Sequence, residues 1–183
     1  MALKGLKHLV WAKLTEDTGD TLTYGVVKEL PGAISLSVNP TVNTAELYAD
    51  DQLWESDSAL GVVNVSVGTA SLPLETKAAW MGAKLGADGV LVESSTDTPP
   101  YIALGFKALM RGGKYRYVWL LKGKAQPVED NYQTKKENIE YQTPTINLAF
   151  MPRIHDQQWK RTADEGENGF SGEDSWFSDV PTT

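Results

Sequence analysis

The sequence predicts a mainly β protein: an antiparallel sandwich or barrel with one α-helix on its flank and a long protruding loop. Three observations carry that expectation. Val63, Val65 and Val67 alternate with Asn64, Ser66 and Gly68, and Ile102, Leu104 and Phe106 alternate with Ala103, Gly105 and Lys107, the two-residue period of strands with one buried face. Short apolar segments are separated by clusters such as Thr15–Asp20, Pro31-Gly32 and Asn39-Pro40, which punctuate a chain into strands. A single stretch has helical spacing. With about eight strands and one helix, the sheet must bury its apolar face against another sheet, leaving the helix at the side.

Taken in order, Leu9-Val10-Trp11-Ala12-Lys13-Leu14 reads as a strand that ends in the turn-rich Thr15–Asp20. A β pattern resumes from Thr21 to Leu30, stops at Pro31-Gly32, and returns from Ala33 to Val38 before Asn39-Pro40. The helix is expected over about 71–85. Ser71 is the candidate cap, Pro73 suits the first turn, Leu74, Ala78, Met81 and Leu85 form one stripe, and Gly86 ends it. Arg111-Gly112-Gly113-Lys114 reads as a hairpin turn into Tyr115–Lys122. There the aromatics Tyr115, Tyr117 and Trp119 share one face and Val118 and Leu120 the other, so burial on both faces is expected. Ile146, Leu148 and Phe150 mark a last core strand.

Two regions resist this reading. Thr41–Leu60 mixes Tyr48, Leu53 and Trp54 with five acidic residues (Glu46, Asp50, Asp51, Glu55 and Asp57), and the acidic segment 163–183 carries Phe170, Trp176 and Phe177. Long irregular segments in a compact domain are usually functional or disordered, and aromatics are what a disordered one should lack. Both read as arms that fold onto something else. The expected organisation is thus a β-domain over 1–162, with an assembly loop at 41–60, and a C-terminal arm over 163–183.

The 183 residues suit one domain, and 41% of them are apolar, enough for a real core. Cysteine is absent, which excludes disulfides and thiolate metal sites and suits assembly in a reducing cytoplasm. The N-terminal stretch does not read as a secretory signal, and no segment reaches the roughly 20 apolar residues of a membrane helix. A net charge of −7 argues against a chain-wide affinity for nucleic acid. For chemistry there is little. His8 and His155 lie at opposite ends, with His155-Asp156 read as a solvent-facing pair. No phosphate loop, zinc motif or nucleophile elbow occurs. Asp50-Asp51 are adjacent on what reads as extended chain and so point apart, too poorly placed to flank one bond. No enzyme and no cofactor are expected.

Charge patterning says more. Between Tyr101 and Lys124 lie Lys107, Arg111, Lys114, Arg116, Lys122 and Lys124 with no acidic residue, whereas Asn43–Ser58 is acidic with no basic one. Opposed blocks permit head-to-tail contact between copies, and a heterologous contact builds rings or filaments. They also permit two solvated faces, a nucleic-acid surface with Tyr115, Tyr117 and Trp119 as stacking platforms, or a binding module that recognises carbohydrate or protein through Trp54 and Trp119. Candidate inter-subunit contacts are Glu46, Leu47, Tyr48, Asp50, Asp51, Trp54, Glu55, Arg111, Lys114, Arg116, Trp176 and Phe177.

Several strings, in order, resemble the major tail proteins of phages with long non-contractile tails. They are Asn43-Thr44-Ala45-Glu46-Leu47-Tyr48-Ala49-Asp50-Asp51, Tyr101-Ile102-Ala103-Leu104-Gly105-Phe106-Lys107 and Gly113-Lys114-Tyr115-Arg116-Tyr117-Val118-Trp119-Leu120, then Tyr132-Gln133-Thr134-Lys135 with Tyr141-Gln142-Thr143-Pro144-Thr145. Gly5-Leu6-Lys7 and Leu14-Thr15-Glu16-Asp17 fit too, and the likeness fades after about Arg161. The resemblance implies a tail-tube fold of two antiparallel sheets with a helix beside them. It also implies hexameric rings stacked helically, with the long loop reaching a neighbour. Expected partners are other copies of the chain, a tape measure protein in the lumen, and tail terminator and distal tail proteins at the ends. DNA would pass through unbound, and no membrane is involved. The expected location is the virion tail, assembled in the host cytoplasm. A tail completion or baseplate ring protein is the nearest alternative.

Overall fold

The computed structural model describes residues 3–128, 143–172 and 175–182. Tyr132-Gln133-Thr134-Lys135 and Tyr141-Gln142 lie outside the described residues. The fold is mainly antiparallel β with one short helix. The strands are β1 (Leu3–Asp17), β2 (Leu22–Tyr24), β3 (Lys28–Glu29), β4 (Ala33–Ala49), β5 (Gln52–Thr69), β6 (Lys84–Leu85), β7 (Leu91–Val92), β8 (Ile102–Met110), β9 (Tyr115–Ala125), β10 (Thr145–Phe150) and β11 (Lys160–Asp164), with helix α1 (Leu74–Met81) between β5 and β6. Nine strands join one sheet in the order β2-β1-β8-β9-β10-β5-β4, with β3 on β1 and β11 on β9. The two layers are therefore halves of one curled sheet, bent until β1 and β4 touch, rather than two separate sheets.

Curling creates an inside and an outside. The inner core joins Leu9, Trp11, Ile102, Leu104, Phe106, Val118 and Leu120 to Val63, Val65, Val67, Ile146, Leu148 and Phe150, and Trp80 and Met81 of α1 close it. The alternations at Val63–Val67 and Ile146–Phe150 point inward as expected. The central pair β8–β9 departs from simple alternation, because its outer residues Ala103, Trp119 and Leu121 are buried as well. Gly105 permits this density: a Cβ there would lie 2.9 Å from the Trp119 ring.

The helix is shorter than the expected 71–85 and keeps only the middle of the expected stripe, Ala78 and Met81, in the core. Pro73 occupies the N-cap position with no side-chain cap bond, and Thr69 Oγ1 donates to the Ser71 carbonyl at 2.9 Å. Gly82, not Gly86, ends the helix at φ 71°; a Cβ there would collide with the Thr98 carbonyl oxygen, so no other residue fits. Leu74 and Leu85, expected on the buried stripe, are exposed; the buried residues are Thr76, Ala78, Trp80 and Met81. Trp80 sets the orientation by packing edge-on against Trp11, ring centroids 5.9 Å apart.

The long segment 41–60 is not a loop. β4 continues through the expected stop at Asn39-Pro40, with Pro40 opposite Val63 and a register shift between Pro40 and Val42. Proline is tolerated there because β4 ends the sheet order and a bulge absorbs the missing N–H. The two strands then run on as a ribbon to a tip where Ala49 faces Gln52. Asp50 and Asp51 at that tip both have positive φ, 51° and 58°, the left-handed pair of a tight hairpin turn. They are turn residues, not the extended pair the sequence suggested.

Candidate interaction surface

Past Val63, among the described residues β5 pairs with β4 alone, because β10 stops opposite it at Phe150. From Thr41 to Leu60 every residue except Ala49 is exposed, including Tyr48 (63%) and Trp54 (71%). Cross-strand partners share a face, so the register divides the ribbon. One face holds Val42 with Leu60, Thr44 with Ser58, Glu46 with Ser56, and Tyr48 with Leu53. The register slips between Leu47 and Tyr48, leaving Trp54 as the bulged residue beside Leu53. The other face holds Asn43 with Ala59, Ala45 with Asp57, and Leu47 with Glu55. The first is aromatic and aliphatic, with the Tyr48 hydroxyl donating to Glu46 at 2.8 Å. The second is acidic. The expected contact residues Glu46, Leu47, Tyr48, Asp50, Asp51, Trp54 and Glu55 thus lie together on one projecting element.

Of the expected basic contacts, Arg111 and Lys114 are exposed on the β8–β9 turn. Arg116 is committed elsewhere. Its guanidinium forks onto Asp164 of β11, both nitrogen–oxygen distances being 2.6 Å, and Arg116 and Asp164 are cross-strand partners. The hydrogen bonds of this pair raise the Arg116 pKa and hold the Asp164 carboxyl below its ordinary value. Lys122 is also engaged: its Nζ lies 2.6 Å from Asp17 Oδ2, both side chains buried.

Trp176 and Phe177, expected to meet a neighbouring subunit, pack on their own chain. The boundary drawn at 162 falls inside β11, and the arm then returns across the outer face of β9. Phe177 packs tilted against both Tyr117 and Trp119, ring centroids 5.9 Å apart in each case. Phe170 lies 5.6 Å from Tyr117, and the Trp119 indole donates to the Trp176 carbonyl at 2.9 Å. Val180 is buried with Val10, Ala12, Ala103 and Leu121. Trp119 is therefore 0% exposed, and the covered Tyr117–Trp119 face offers no stacking platform and no ligand-binding tryptophan.

A buried polar cluster fastens the arm's end. Arg153, also 0% exposed, donates from Nε and Nη2 to the Asp156 carboxylate and from Nη1 to the Pro181 carbonyl at 2.8 Å and to the Tyr24 hydroxyl at 3.3 Å. Asp156 is thus an internal ion-pair partner rather than half of a solvent-facing pair. Beside it, Asp17 accepts from the backbone N–H groups of Ile154 (2.9 Å) and His155 (3.0 Å) as well as from Lys122. Burial alone would raise the Asp17 and Asp156 pKa values, but the hydrogen bonds and cations outweigh it and hold both carboxyls low. Held in the charged form at neutral pH, these carboxylates act as ion-pair and hydrogen-bond acceptors, which suits structure better than proton transfer. Among the described residues no group of three or more His, Asp or Glu is placed to hold a metal, and no helix is long and apolar enough to cross a membrane.

Sequence reasoning missed one part of the surface. β1 pairs with β8 so that Lys7 stands directly opposite Lys107, and both ammonium groups lie over the Tyr115 ring, at 5.9 and 5.0 Å. Only knowledge of the β1–β8 pairing could have brought these lysines together. Neither a scan against protein-family models nor a search of curated proteins finds a match to this chain.

Proposed function

We propose that the chain is a structural subunit that polymerises into stacked, hexameric rings and forms the tail tube of a long-tailed phage, a conduit for DNA. The observation that carries the self-assembly part is the ribbon. It is a two-stranded projection, exposed on both faces, whose tip clusters Tyr48, Leu53 and Trp54. An isolated two-stranded hairpin is marginal in water, and exposed apolar clusters of this kind mark interaction sites. The long outer edge of β4, which no other described strand pairs, adds backbone groups that strand pairing with a neighbour would satisfy. The step from self-assembly to a tail tube, with a tape measure protein in the lumen, terminator and distal proteins at the ends and a place in the virion, comes from the ordered strings that resemble major tail proteins.

Negative-stain electron microscopy of the concentrated protein tests it, with tubes as the expected result. Replacing Thr44–Ser58 by a two-residue Asn-Gly turn keeps the Asn43–Ala59 pair and should leave a folded monomer that forms none. Tubes of normal length from that variant, or a wild-type chain that stays monomeric at high concentration, would overturn the reading. Single rings that never stack would favour a completion or baseplate role.

A further inference from the structure

We propose that the surface around Tyr115, formed by Lys7 and Lys107 with Arg111 and Lys114 beside it, receives the acidic face of the ribbon of a second copy. The proposal rests on the assembly reading above and names its receptor. Lys7 and Lys107 are directly opposed on neighbouring strands, a like-charge arrangement that destabilises. The shared Tyr115 ring offsets part of the repulsion, and an anion set between the charges would relieve the rest. Three cations of the body, by contrast, have a carboxylate at hand: Lys122 has Asp17, Arg116 has Asp164 and Arg153 has Asp156. Among the described ion pairs, none involves Lys7 or Lys107, and none joins the ribbon to the body.

The lysine pair is also placed by an irregularity of the backbone. β1 slips register between Lys7 and Val10, and His8 within the slip has φ 54°. The extra residue puts Lys7 on the same outer face as Val10, Lys107 and Tyr115. A left-handed non-glycine residue persists only where its surroundings hold it, and here the His8 ring rests 4.9 Å from Phe177 of the returning arm. The arm's aromatic cover ends at Tyr117 and Phe170. Beside Tyr115 the arm runs along the edge of the lysine surface, where the Tyr115 N–H donates to the Glu165 carboxylate at 2.8 Å and Gly166 lies against the Lys114 side chain.

Of the ribbon's two faces, the acidic one complements this surface. Glu55 and Asp57 are two residues apart on one strand and point the same way, about 7 Å apart along the chain. Opposed lysines sit about 5 Å apart at Cβ, and their long side chains span the difference. Leu47, on the same ribbon face as Glu55, would lie over the Tyr115 ring. Donor and receptor are different surfaces of the same chain, so the contact is head-to-tail and repeats into a ring or filament.

The test is a charge swap read by sedimentation and electron microscopy, with circular dichroism to verify folding. Lys7→Glu with Lys107→Glu should raise the concentration needed for polymerisation at least tenfold, and so should Glu55→Lys with Asp57→Lys. All four changes in one chain, or an equimolar mixture of the two double variants, should restore polymers. Should a reversed variant misfold, the neutral pair Lys7→Gln and Lys107→Gln should give a smaller rise in the same direction. Zero-length carbodiimide cross-linking of mixed 14N and 15N wild-type chains should join Lys7 or Lys107 to Glu55 or Asp57 between copies. Wild-type polymers that are indifferent to the lysine changes would sink this inference alone. A wild-type chain that never associates would sink the assembly reading with it. If the lysine variants polymerise normally but lose binding of a labelled single-stranded oligonucleotide, the surface belongs to nucleic acid and the inference fails.

Discussion

The ribbon and the C-terminal arm look alike in sequence and differ completely in the folded chain. Both are long, acidic and dotted with aromatics, with Tyr48 and Trp54 in one and Phe170, Trp176 and Phe177 in the other. The arm is tethered to β9 through β11 and lands on an outer face already apolar in Val10, Ala103, Trp119 and Leu121. The ribbon leaves the sheet where β10 ends, and among the described residues no strand but its own partner pairs with it there. An acidic, aromatic segment is therefore no marker of an intermolecular arm by itself. Its destination depends on whether an unfilled apolar face lies within reach of its tether.

Removing the arm should accordingly have the largest effect. Ending the chain after Asp164 strips Trp176, Phe177 and Val180 from the outer face and takes away the Trp176 and Pro181 carbonyls that accept from Trp119 and Arg153. Large-to-small changes at buried positions cost about 2–5 kcal/mol each, and a whole domain is stable by only about 5–15 kcal/mol. The expected outcome is loss of the cooperative thermal transition, or a midpoint lowered by more than about 10 °C. The ribbon-shortened chain should melt within a few degrees of the full one. Equal midpoints for the full and truncated chains in calorimetry would show that the arm's packing contributes little.

Asp17→Asn comes next, because it acts where the arm's latch meets the sheet. Lys122 would be left buried without its countercharge, which costs about 3–5 kcal/mol. The same group sets a pH dependence. Asp17, Asp156 and Asp164 have folded pKa values below their ordinary value, so the folded state favours the ionised form. That stabilisation is complete above about pH 4, the unfolded carboxylate range, and disappears as pH falls through the lower folded values. Denaturant midpoints should be level from about pH 7 to 5 and drop below about pH 4, with a shallower drop in Asp17→Asn. A drop of equal depth in both would remove Asp17 from the account.

What was legible in the sequence follows from where burial is one-sided or two-sided. Val63–Val67 and Ile146–Phe150 announce themselves because one face meets core. The apolar residues on both sides of β9 signalled double burial, although the cover over Tyr117 and Trp119 comes from residues more than fifty positions away. The ribbon was illegible for the opposite reason: both faces meet solvent, so no alternation of apolarity is imposed, and its turn uses Asp50-Asp51 without glycine. Helix α1 was half legible: Ala78 and Met81 are buried as the stripe predicted, but its bounds and the exposed Leu74 and Leu85 were not, because eight residues pinned by one large side chain, Trp80, need no full amphipathic stripe. The Lys7–Lys107 pair depends on strand pairing across a hundred residues, which no local pattern encodes.

The smallest effect on stability is also the one that separates the two regions most cleanly. Trp54 is 71% exposed on the ribbon, so Trp54→Ala removes little that the monomer uses, and its unfolding free energy should stay within about 0.5 kcal/mol of wild type. Tryptophans at the centre of an interface, by contrast, commonly carry 2 kcal/mol or more of binding, roughly thirtyfold in affinity. The expected signature is an unchanged melting curve with a critical concentration for polymerisation raised by at least that factor. Trp176→Ala should show the reverse order, a lower melting point first and assembly affected only through it. If Trp54→Ala instead lowers the melting point while leaving assembly untouched, the ribbon serves its own chain after all, and the contrast between projecting ribbon and returning arm collapses.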